Sequence, residues 1–189
     1  MNVTLRPRLT MEEFLAWEER QELRYEFDGR KAIAMVGGTE AHEIIAVNIL
    51  IEVGTQLRTG PCRIYGGGMK IEVAGRIRYP DALVICSPAV AKRRLLTDPV
   101  VVFEVQSEST ALIDQTVKND EYRATPSIKR YVMLSQDSIA ANIFTRNEGG
   151  WVGKLITDPA AMLAMPEIGV ELPLAALYAG LDFTEAADA

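Results

Sequence analysis

The sequence YPDALVI spans residues 79–85, and the sequence VVVFEVQS spans residues 100–107. Each joins one acidic residue to a run of β-forming residues, with Asp81 at the start of the first predicted strand and Glu104 near the end of the second. On neighbouring strands the two carboxylates could hold one divalent cation, because hard cations such as Mg²⁺ take oxygen ligands. The alternative is that both strand ends reach solvent, and the spacing alone does not decide between them.

Helices and a hairpin are predicted before these strands. Thr10 and Glu13 form a capping-box pattern for a helix that ends at about Glu19. Asp28-Gly29 suits a tight turn between strands at residues 23–27 and 31–35. Thr39 can cap a longer helix that ends before Gly60-Pro61 and covers one face of the sheet. Its apolar residues at helical spacing are Ile44, Val47, Leu50, Ile51 and Leu57.

The remaining elements are mostly strands. They are predicted at about residues 62–66, 69–73, 81–86, 99–105, 128–134, 140–145 and 151–156. A polar helix is expected from about Ile113 to Arg123, and a short helix with a loose acidic tail from about Pro173. This order predicts an α/β or α+β fold with a mixed central sheet flanked by helices, and not a series of βαβ units.

Composition favours one globular domain. The 189 residues, 48% of them hydrophobic, are enough for a single core, so one domain over residues 1–189 is expected. There is no apolar run of the roughly 18 residues that a membrane span needs, and the first ten residues lack an apolar signal core, which predicts a cytoplasmic protein. Cys62 and Cys86 are interpreted as buried packing residues, and zinc is not expected because His42 is the single histidine.

The net charge of −6 argues against a protein that coats nucleic acid through charge alone. A metal-dependent phosphodiesterase remains compatible with it, because such a site is itself acidic. Arg76, Arg78 and the cluster Lys92–Arg94 could guide a nucleic-acid backbone, although a short basic cluster is more often a solvated loop.

Several motifs together resemble the Uma2 family. This family, formerly a domain of unknown function, belongs to the restriction-endonuclease-like superfamily of PD-(D/E)XK nucleases. The resemblance covers about Thr10 to Tyr178. In chain order, its motifs are the hairpin Tyr25–Arg30, His42 at the opening of a helix, Tyr79-Pro80-Asp81, residues 103–110, Lys118 with Tyr122, and Tyr131-Val132.

The resemblance implies a site in which Asp81 is the PD aspartate and Glu104 is the following acid, both bound to Mg²⁺ or Mn²⁺. Gln106 stands where the superfamily has its lysine, so it could hold a water but cannot act as a base. In the Uma2 family the lysine is displaced to the next helix, which corresponds here to Lys118. Without the resemblance, Lys118 would be interpreted as a solvated helix lysine.

Two further residues are candidates for the same site. Glu26 alternates with Tyr25 and Phe27, so it lies on the opposite face of its strand and could reach the ion, or it could face solvent. His42 lies near a helix N-terminus, where the dipole is expected to keep its imidazole neutral. Similar proteins often carry an acid at the position of Gly68, which follows Gly66-Gly67 here. These glycines could admit a phosphate close to the backbone or form a bulged turn.

Two functions therefore compete. The first is a metal-dependent nuclease that hydrolyses phosphodiester bonds of DNA, expected to act as a homodimer because a duplex has two strands to cut. The second is a catalytically inactive relative that uses the same fold to bind nucleic acid or a protein partner. The sequence has no pattern of a base-reading module such as a zinc finger, so its specificity stays open.

Overall fold

The structure is a computed structural model, and it describes residues 9–35, 37–106 and 114–183. The helices in this part of the chain are α1 (Met11–Glu18), α2 (Glu40–Leu57), a π-helix (Asp114–Lys118), α3 (Asn119–Ala124) and a 3-10 helix (Leu174–Tyr178). No helix within the described ranges is long and apolar enough to cross a membrane.

The first seven strands surround α2 in the sequence. They are β1 (Tyr25–Phe27), β2 (Ala32–Ala34), β3 (Arg63–Gly66), β4 (Lys70–Val73), β5 (Arg76–Arg78), β6 (Ala82–Ile85) and β7 (Leu95–Leu96). The other six are β8 (Val101–Gln106), β9 (Arg130–Ser135), β10 (Ala141–Asn147), β11 (Gly150–Ile156), β12 (Met162–Met165) and β13 (Val170–Pro173).

These strands form two larger sheets and a separate hairpin. The first sheet has the order β2-β1-β5-β4-β7, the second has the order β11-β10-β9-β8-β6-β3, and β12 pairs with β13. Pairing is parallel between β8 and β9 and between β4 and β7, and antiparallel elsewhere. The predicted mixed sheet with flanking helices is therefore confirmed.

Local sequence signals explain where the first two helices begin. The Thr10 hydroxyl accepts a hydrogen bond from the Glu13 amide at 3.1 Å, and the Glu13 carboxylate accepts one from the Thr10 amide at 2.7 Å. The Thr39 hydroxyl likewise accepts from the His42 amide at 3.2 Å. Each cap satisfies backbone donors that a helix leaves unpaired in its first turn. The cap at Thr39 thus fixes the turn that carries His42.

The central strand β8 is buried along its whole length. Val101, Phe103 and Val105 point to the face that α2 covers, while Val102 belongs to the core on the opposite face. Because strand residues alternate between faces, Glu104 and Gln106 lie on that opposite face with Val102. The second sheet is thus covered on both sides at its centre, and an acid sits within it.

The buried face of α2 differs from the predicted one. Its fully buried residues are Ile45, Ile49, Val53 and Leu57. Val47 and Ile51 are 49% and 55% exposed, so their assignment to the covered face was wrong. The helix is apolar on more than one face, and for this reason the 3.6-residue period did not identify the face that packs.

The chain passes from the first sheet to the second at residues 79–81. Strand β5 belongs to the first sheet and β6 to the second, and the segment Tyr79-Pro80-Asp81 joins them. Proline suits this position because it cannot donate a hydrogen bond to a strand ladder. Asp81 is therefore held at the junction of the two sheets.

A disulfide joins Cys62 to Cys86. The two residues lie just beyond a paired end of β3 and β6, where Arg63 is opposite Ile85. Their interpretation as packing residues alone was wrong, because the antiparallel pairing brings together cysteines that are 24 residues apart in sequence.

The other differences from the predicted elements concern short strands and the types of two helices. Strands β5, β7, β12 and β13 were not predicted, and the helix predicted over residues 113–123 is a π-helix followed by α3. The helix predicted from Pro173 is a 3-10 helix. Ile113, the segment 107–110 of the family motif and the acidic tail from residue 184 lie outside the described residues.

Candidate functional site

Glu104 is a buried carboxylate in the middle of the protein. It is 5% exposed, and its Oε1 atom accepts a hydrogen bond from the Tyr122 hydroxyl at 2.7 Å. The Nζ atom of Lys118 lies 3.3 Å from the same oxygen. The interpretation of Glu104 as a strand end that reaches solvent was therefore wrong, and burial of this carboxylate requires the partners that α3 and the preceding turn supply.

The surroundings of Glu104 favour its protonated form. The pKa of its carboxyl is raised to about 8, chiefly by burial. The nearby charges of Asp81 and Glu26 contribute to this rise, while Lys118 and Tyr122 oppose it. Three acids thus influence one another at this point. A group of carboxylates that repel one another in a dry setting is one that a cation would stabilise.

Asp81 is fixed next to Glu104 through the backbone of β8. Its Oδ2 atom accepts a hydrogen bond from the Val105 amide at 2.7 Å, and its Oδ1 atom lies 3.2 Å from Nε2 of His42. Its side chain is 18% exposed, so it is more accessible than Glu104. The two acids that the sequence singled out therefore lie side by side, Glu104 on β8 and Asp81 immediately before the adjacent strand β6.

His42 reaches Asp81 from the first turn of α2. The hydrogen bond to Asp81 raises the pKa of the imidazole, and burial opposes this shift. This direction is opposite to the one expected from the helix dipole, because a hydrogen-bonded carboxylate favours the imidazolium form. The other ring nitrogen, Nδ1, is buried and has no hydrogen-bond partner among the described residues.

Glu26 enters the site from β1 of the first sheet. Its Oε1 atom accepts from the Tyr79 amide at 3.2 Å and lies 3.5 Å from Nζ of Lys118, and its Oε2 atom accepts from Arg78 at 3.0 Å. It is a buried acid, so the solvent-facing alternative was wrong. Through Lys118, it connects to Glu104 on the second sheet.

Arg78 binds the helix that follows Lys118. Its guanidinium donates two hydrogen bonds to Glu121 of α3, at 2.7 and 2.6 Å, in addition to the one to Glu26. Arg76 lies 3.0 Å from the same Glu121 carboxylate. Arg78 is 3% exposed, so the suggestion that it guides a nucleic-acid backbone was wrong. Its position instead anchors α3 against the first sheet.

Gln106 lies near the acids but has a different environment. It is buried on the same face of β8 as Glu104, and its Nε2 atom donates to Sδ of Met133 at 3.2 Å. The position of the superfamily lysine thus holds a neutral amide. The lysine that approaches Glu104 is Lys118, from a different segment.

Asp81 and Glu104 meet part of what a divalent cation requires. Two carboxylates next to each other are the donors that Mg²⁺ and Mn²⁺ prefer, so the donor chemistry of Asp81 and Glu104 fits. Within the described ranges, no three Asp, Glu, His or Cys side chains form a cluster already arranged for a metal. The carboxylate oxygens face His42, Lys118 and Tyr122, and these contacts must rearrange to admit an ion.

Sequence reasoning missed several residues that build this centre. Tyr122 was noted in the family motif but given no role, although it follows Lys118 by four residues, the spacing that places side chains on one helix face. The pairing of Arg78 with Glu121 had no local signal, because 43 residues separate them.

The chain is similar to one protein family and to two uncharacterized proteins. The model of the Uma2 family, described as "Putative restriction endonuclease", matches residues 11–175. An uncharacterized Synechocystis protein, slr1290, is 31% identical over 180 residues, which cover 94% of this chain and 95% of the relative. A second, sll1609, is 26% identical over 133 residues, covering 68% of this chain and 75% of the relative.

A solved structure shares the fold. A crystal structure from Anabaena variabilis, described as "a putative nuclease belonging to DUF820", superposes with a TM-score of 0.74. The match covers 90% of this chain and 97% of the other at 16% identity, so it establishes a common fold and nothing finer. This fold is of the restriction-endonuclease type.

Proposed function

The chain belongs to the Uma2 family, and we propose that it is a metal-dependent nuclease that hydrolyses phosphodiester bonds of DNA. The observation that carries the proposal is the meeting of Asp81, Glu104 and Lys118 at the junction of two sheets. A carboxylate pair beside an ammonium group is the combination that phosphodiester hydrolysis needs, since charge on the phosphate must be neutralised while water attacks.

Asp81 and Glu104 would hold Mg²⁺ or Mn²⁺, with Glu26 as a third acid of the same cluster. The ion would supply neutralisation of phosphate charge and a bound water of lowered pKa. The residues fit this role because burial and mutual repulsion disfavour the ionised Glu104 when no cation is bound. The hydrogen bond from Val105 keeps the Asp81 carboxylate turned toward β8.

Lys118 would act as a point charge beside the reacting phosphate. Its ammonium group is held between Glu26 and Glu104, where it can donate to a phosphate oxygen or orient an attacking water. Tyr122 positions Glu104 through its hydroxyl, and His42 holds Asp81 from the other side. Gln106 remains a candidate to hold a water, but its neutral amide cannot accept a proton as a base.

We expect the protein to act on both strands of a duplex as a two-fold homodimer, since one chain offers one such centre. Light scattering of the purified protein, with and without duplex DNA, measures the mass directly. A monomer that nicks one strand only would contradict the dimer and leave the nuclease proposal intact.

The decisive test measures cleavage of supercoiled plasmid and of single-stranded DNA in Mg²⁺ or Mn²⁺. Asp81→Asn and Glu104→Gln should each abolish cleavage, while Glu148→Gln, which changes an exposed acid in the turn between β10 and β11, should leave it unchanged. Cleavage that survives both site substitutions would identify a contaminating nuclease.

The alternative is that the protein binds nucleic acid or a partner without cutting. Gln106 in place of the superfamily lysine, and the ion pairs that now engage Asp81 and Glu104, favour it. The protein should first show a cooperative unfolding transition, which establishes that it is folded. If it then binds DNA but does not cut it in Mg²⁺ or Mn²⁺, this alternative replaces the nuclease proposal.

A further inference from the structure

Arg24 lies on the surface beside the segment that joins the two sheets. Its Nη1 atom donates to the Gly67 carbonyl at 3.1 Å, and its guanidinium carbon lies 6.0 Å from the centre of the Tyr79 ring. Its own carbonyl accepts a hydrogen bond from the Met35 amide at 3.1 Å. An exposed arginine is thus held in one place from both its backbone and its side chain.

The glycine segment Gly66–Gly68 lies between Arg24 and Asp81. A Cβ atom added at Gly67 would lie 3.7 Å from the Pro80 carbonyl oxygen and 3.9 Å from Cα of Asp81. A Cβ atom added at Gly68 would lie 3.7 Å from Nη2 of Arg24. The backbone of this segment therefore borders the candidate metal ligand on one side and a guanidinium on the other, with no side chain of its own between them.

The acidic charge of the protein affects how a nucleic acid could approach this surface. The protein has a net charge of −6, and its candidate site contains carboxylates, so a polyanion needs a local cation to approach it. Lys118 and Arg78 face the acids inside the protein. Arg24 is exposed, and a planar guanidinium with one nitrogen on a carbonyl presents other N–H groups to phosphate oxygens.

We propose that Arg24 and the backbone of Gly66–Gly68 form a subsite for a nucleic-acid backbone phosphate next to the bond that is cut. This inference rests on the proposed function and adds to it a binding position for the substrate. The absence of side chains at Gly67 and Gly68 lets the phosphate approach the backbone closely.

A purely structural role for Arg24 would have a different signature. If Arg24 served only to fasten the segment at Gly67, a residue that keeps the hydrogen bond to that carbonyl would be sufficient. Arg24→Gln removes the charge and also shortens the side chain, so it loses the hydrogen bond to the carbonyl. Arg24→Lys keeps the charge and a donor but loses the planar fork. Loss of fastening alone would weaken binding without changing its salt dependence, so the salt slope separates fastening from phosphate binding.

The experiment measures binding of fluorescein-labelled single-stranded and duplex oligonucleotides to Asp81→Asn protein, which does not cut them, over a range of salt concentrations. Arg24→Gln in this background should weaken binding about fivefold and reduce the slope of log affinity against log salt by about 1, the signature of one lost phosphate contact. Arg24→Lys should keep the slope within about 0.3 of the parent while weakening binding less.

Arg58 offers a matched control. It is an exposed arginine at the C-terminal end of α2, roughly 24 Å along the helix from His42 at 1.5 Å per residue. Arg58→Gln should leave affinity and slope unchanged. Equal behaviour of Arg24→Gln and Arg58→Gln would overturn the subsite, as would an Arg24→Gln effect on affinity with no change in slope.

The outcomes also separate this inference from the proposed function. If the wild-type protein cuts DNA and Arg24→Gln cuts with the same KM and kcat, the subsite is wrong and the nuclease stands. If the Asp81→Asn protein binds no DNA and the wild-type protein cuts none, both the subsite and the nuclease proposal fail. A higher KM for Arg24→Gln with nearly the same kcat supports both, because a remote phosphate contact contributes to binding and not to the reaction itself.

Discussion

The Nζ atom of Lys118 lies 3.3 Å from Oε1 of Glu104, across the space between a helical turn and the central strand β8. The lysine is 14 residues beyond the glutamate in sequence, and the superfamily pattern would have placed it two residues beyond. The charge that the pattern requires is thus present at the acids, although a different part of the chain supplies it.

Removal of this charge should affect the reaction more than metal binding. Lys118→Met is expected to lower kcat by about a hundredfold or more, as loss of one preorganised stabilising group does, with binding of Mn²⁺ retained. Plasmid cleavage and Mn²⁺ titration measure the two effects. Lys154→Met, on the exposed strand β11, is the matched control. Cleavage by Lys118→Met at the wild-type rate would exclude a catalytic role for this lysine.

The hydroxyl of Tyr122 should contribute to stability through Glu104. Tyr122→Phe leaves a buried carboxyl without one of its donors, which is expected to lower the free energy of unfolding by about 1–3 kcal/mol. Urea unfolding measures it. Tyr178→Phe, which removes a hydroxyl that donates to the Ala140 carbonyl in a part-buried position, should cost less. If Tyr122→Phe lowers the free energy of unfolding no more than Tyr178→Phe does, the Tyr122 hydroxyl does not stabilise the protein through Glu104.

The Arg78–Glu121 pair should hold α3 in place. Glu121→Gln removes one of the two carboxylates that pair with the buried Arg78, which keeps only Glu26, and is expected to lower the free energy of unfolding by about 3 kcal/mol, since breaking a buried ion pair is costly. Amide hydrogen exchange should accelerate in α3 before it does in α2. Exchange that accelerates equally in both helices would mean that the pair stabilises the whole fold and does not anchor α3 in particular.

The disulfide should stabilise the second sheet. Closing a loop between cysteines 24 residues apart is expected to raise the free energy of unfolding by about 3 kcal/mol in the chain-entropy model. Urea unfolding with and without dithiothreitol measures the difference, and the double variant Cys62→Ala/Cys86→Ala should not respond to the reductant. Two free thiols in the unreduced, unfolded protein would disprove the bond.

Local signals were sufficient for much of the fold. The caps at Thr10 and Thr39 gave the starts of α1 and α2, because a cap depends only on residues within one turn. The run of β-forming residues at 100–105 predicted strand β8, although it did not show that its acid is buried. The packed face of α2 was missed because apolar residues occur around much of that helix, so only tertiary contacts select the buried ones.

The candidate site could also be predicted only where its signals are local. Asp81 and Glu104 could be identified from strands that carry an acid, and their closeness follows from antiparallel pairing of β6 with β8. Contacts between distant segments could not be derived, as between Glu26 and Arg78 or between Arg78 and Glu121, because nothing within either segment encodes its partner. The catalytic and metal-binding roles of these residues remain predictions.

The junction of the two sheets has a consequence for synthesis of the chain. The charged groups Glu26, Asp81, Glu104 and Lys118 come from β1, from the segment between β5 and β6, from β8 and from the π-helix before α3, so they span residues 26 to 118. A nascent chain that has emerged only as far as β8 carries the carboxylates without the lysine, and a fragment cut anywhere within this span lacks part of the centre. The proposed nuclease activity would therefore be gained only after residue 118 has emerged, and would be lost on cleavage within this span.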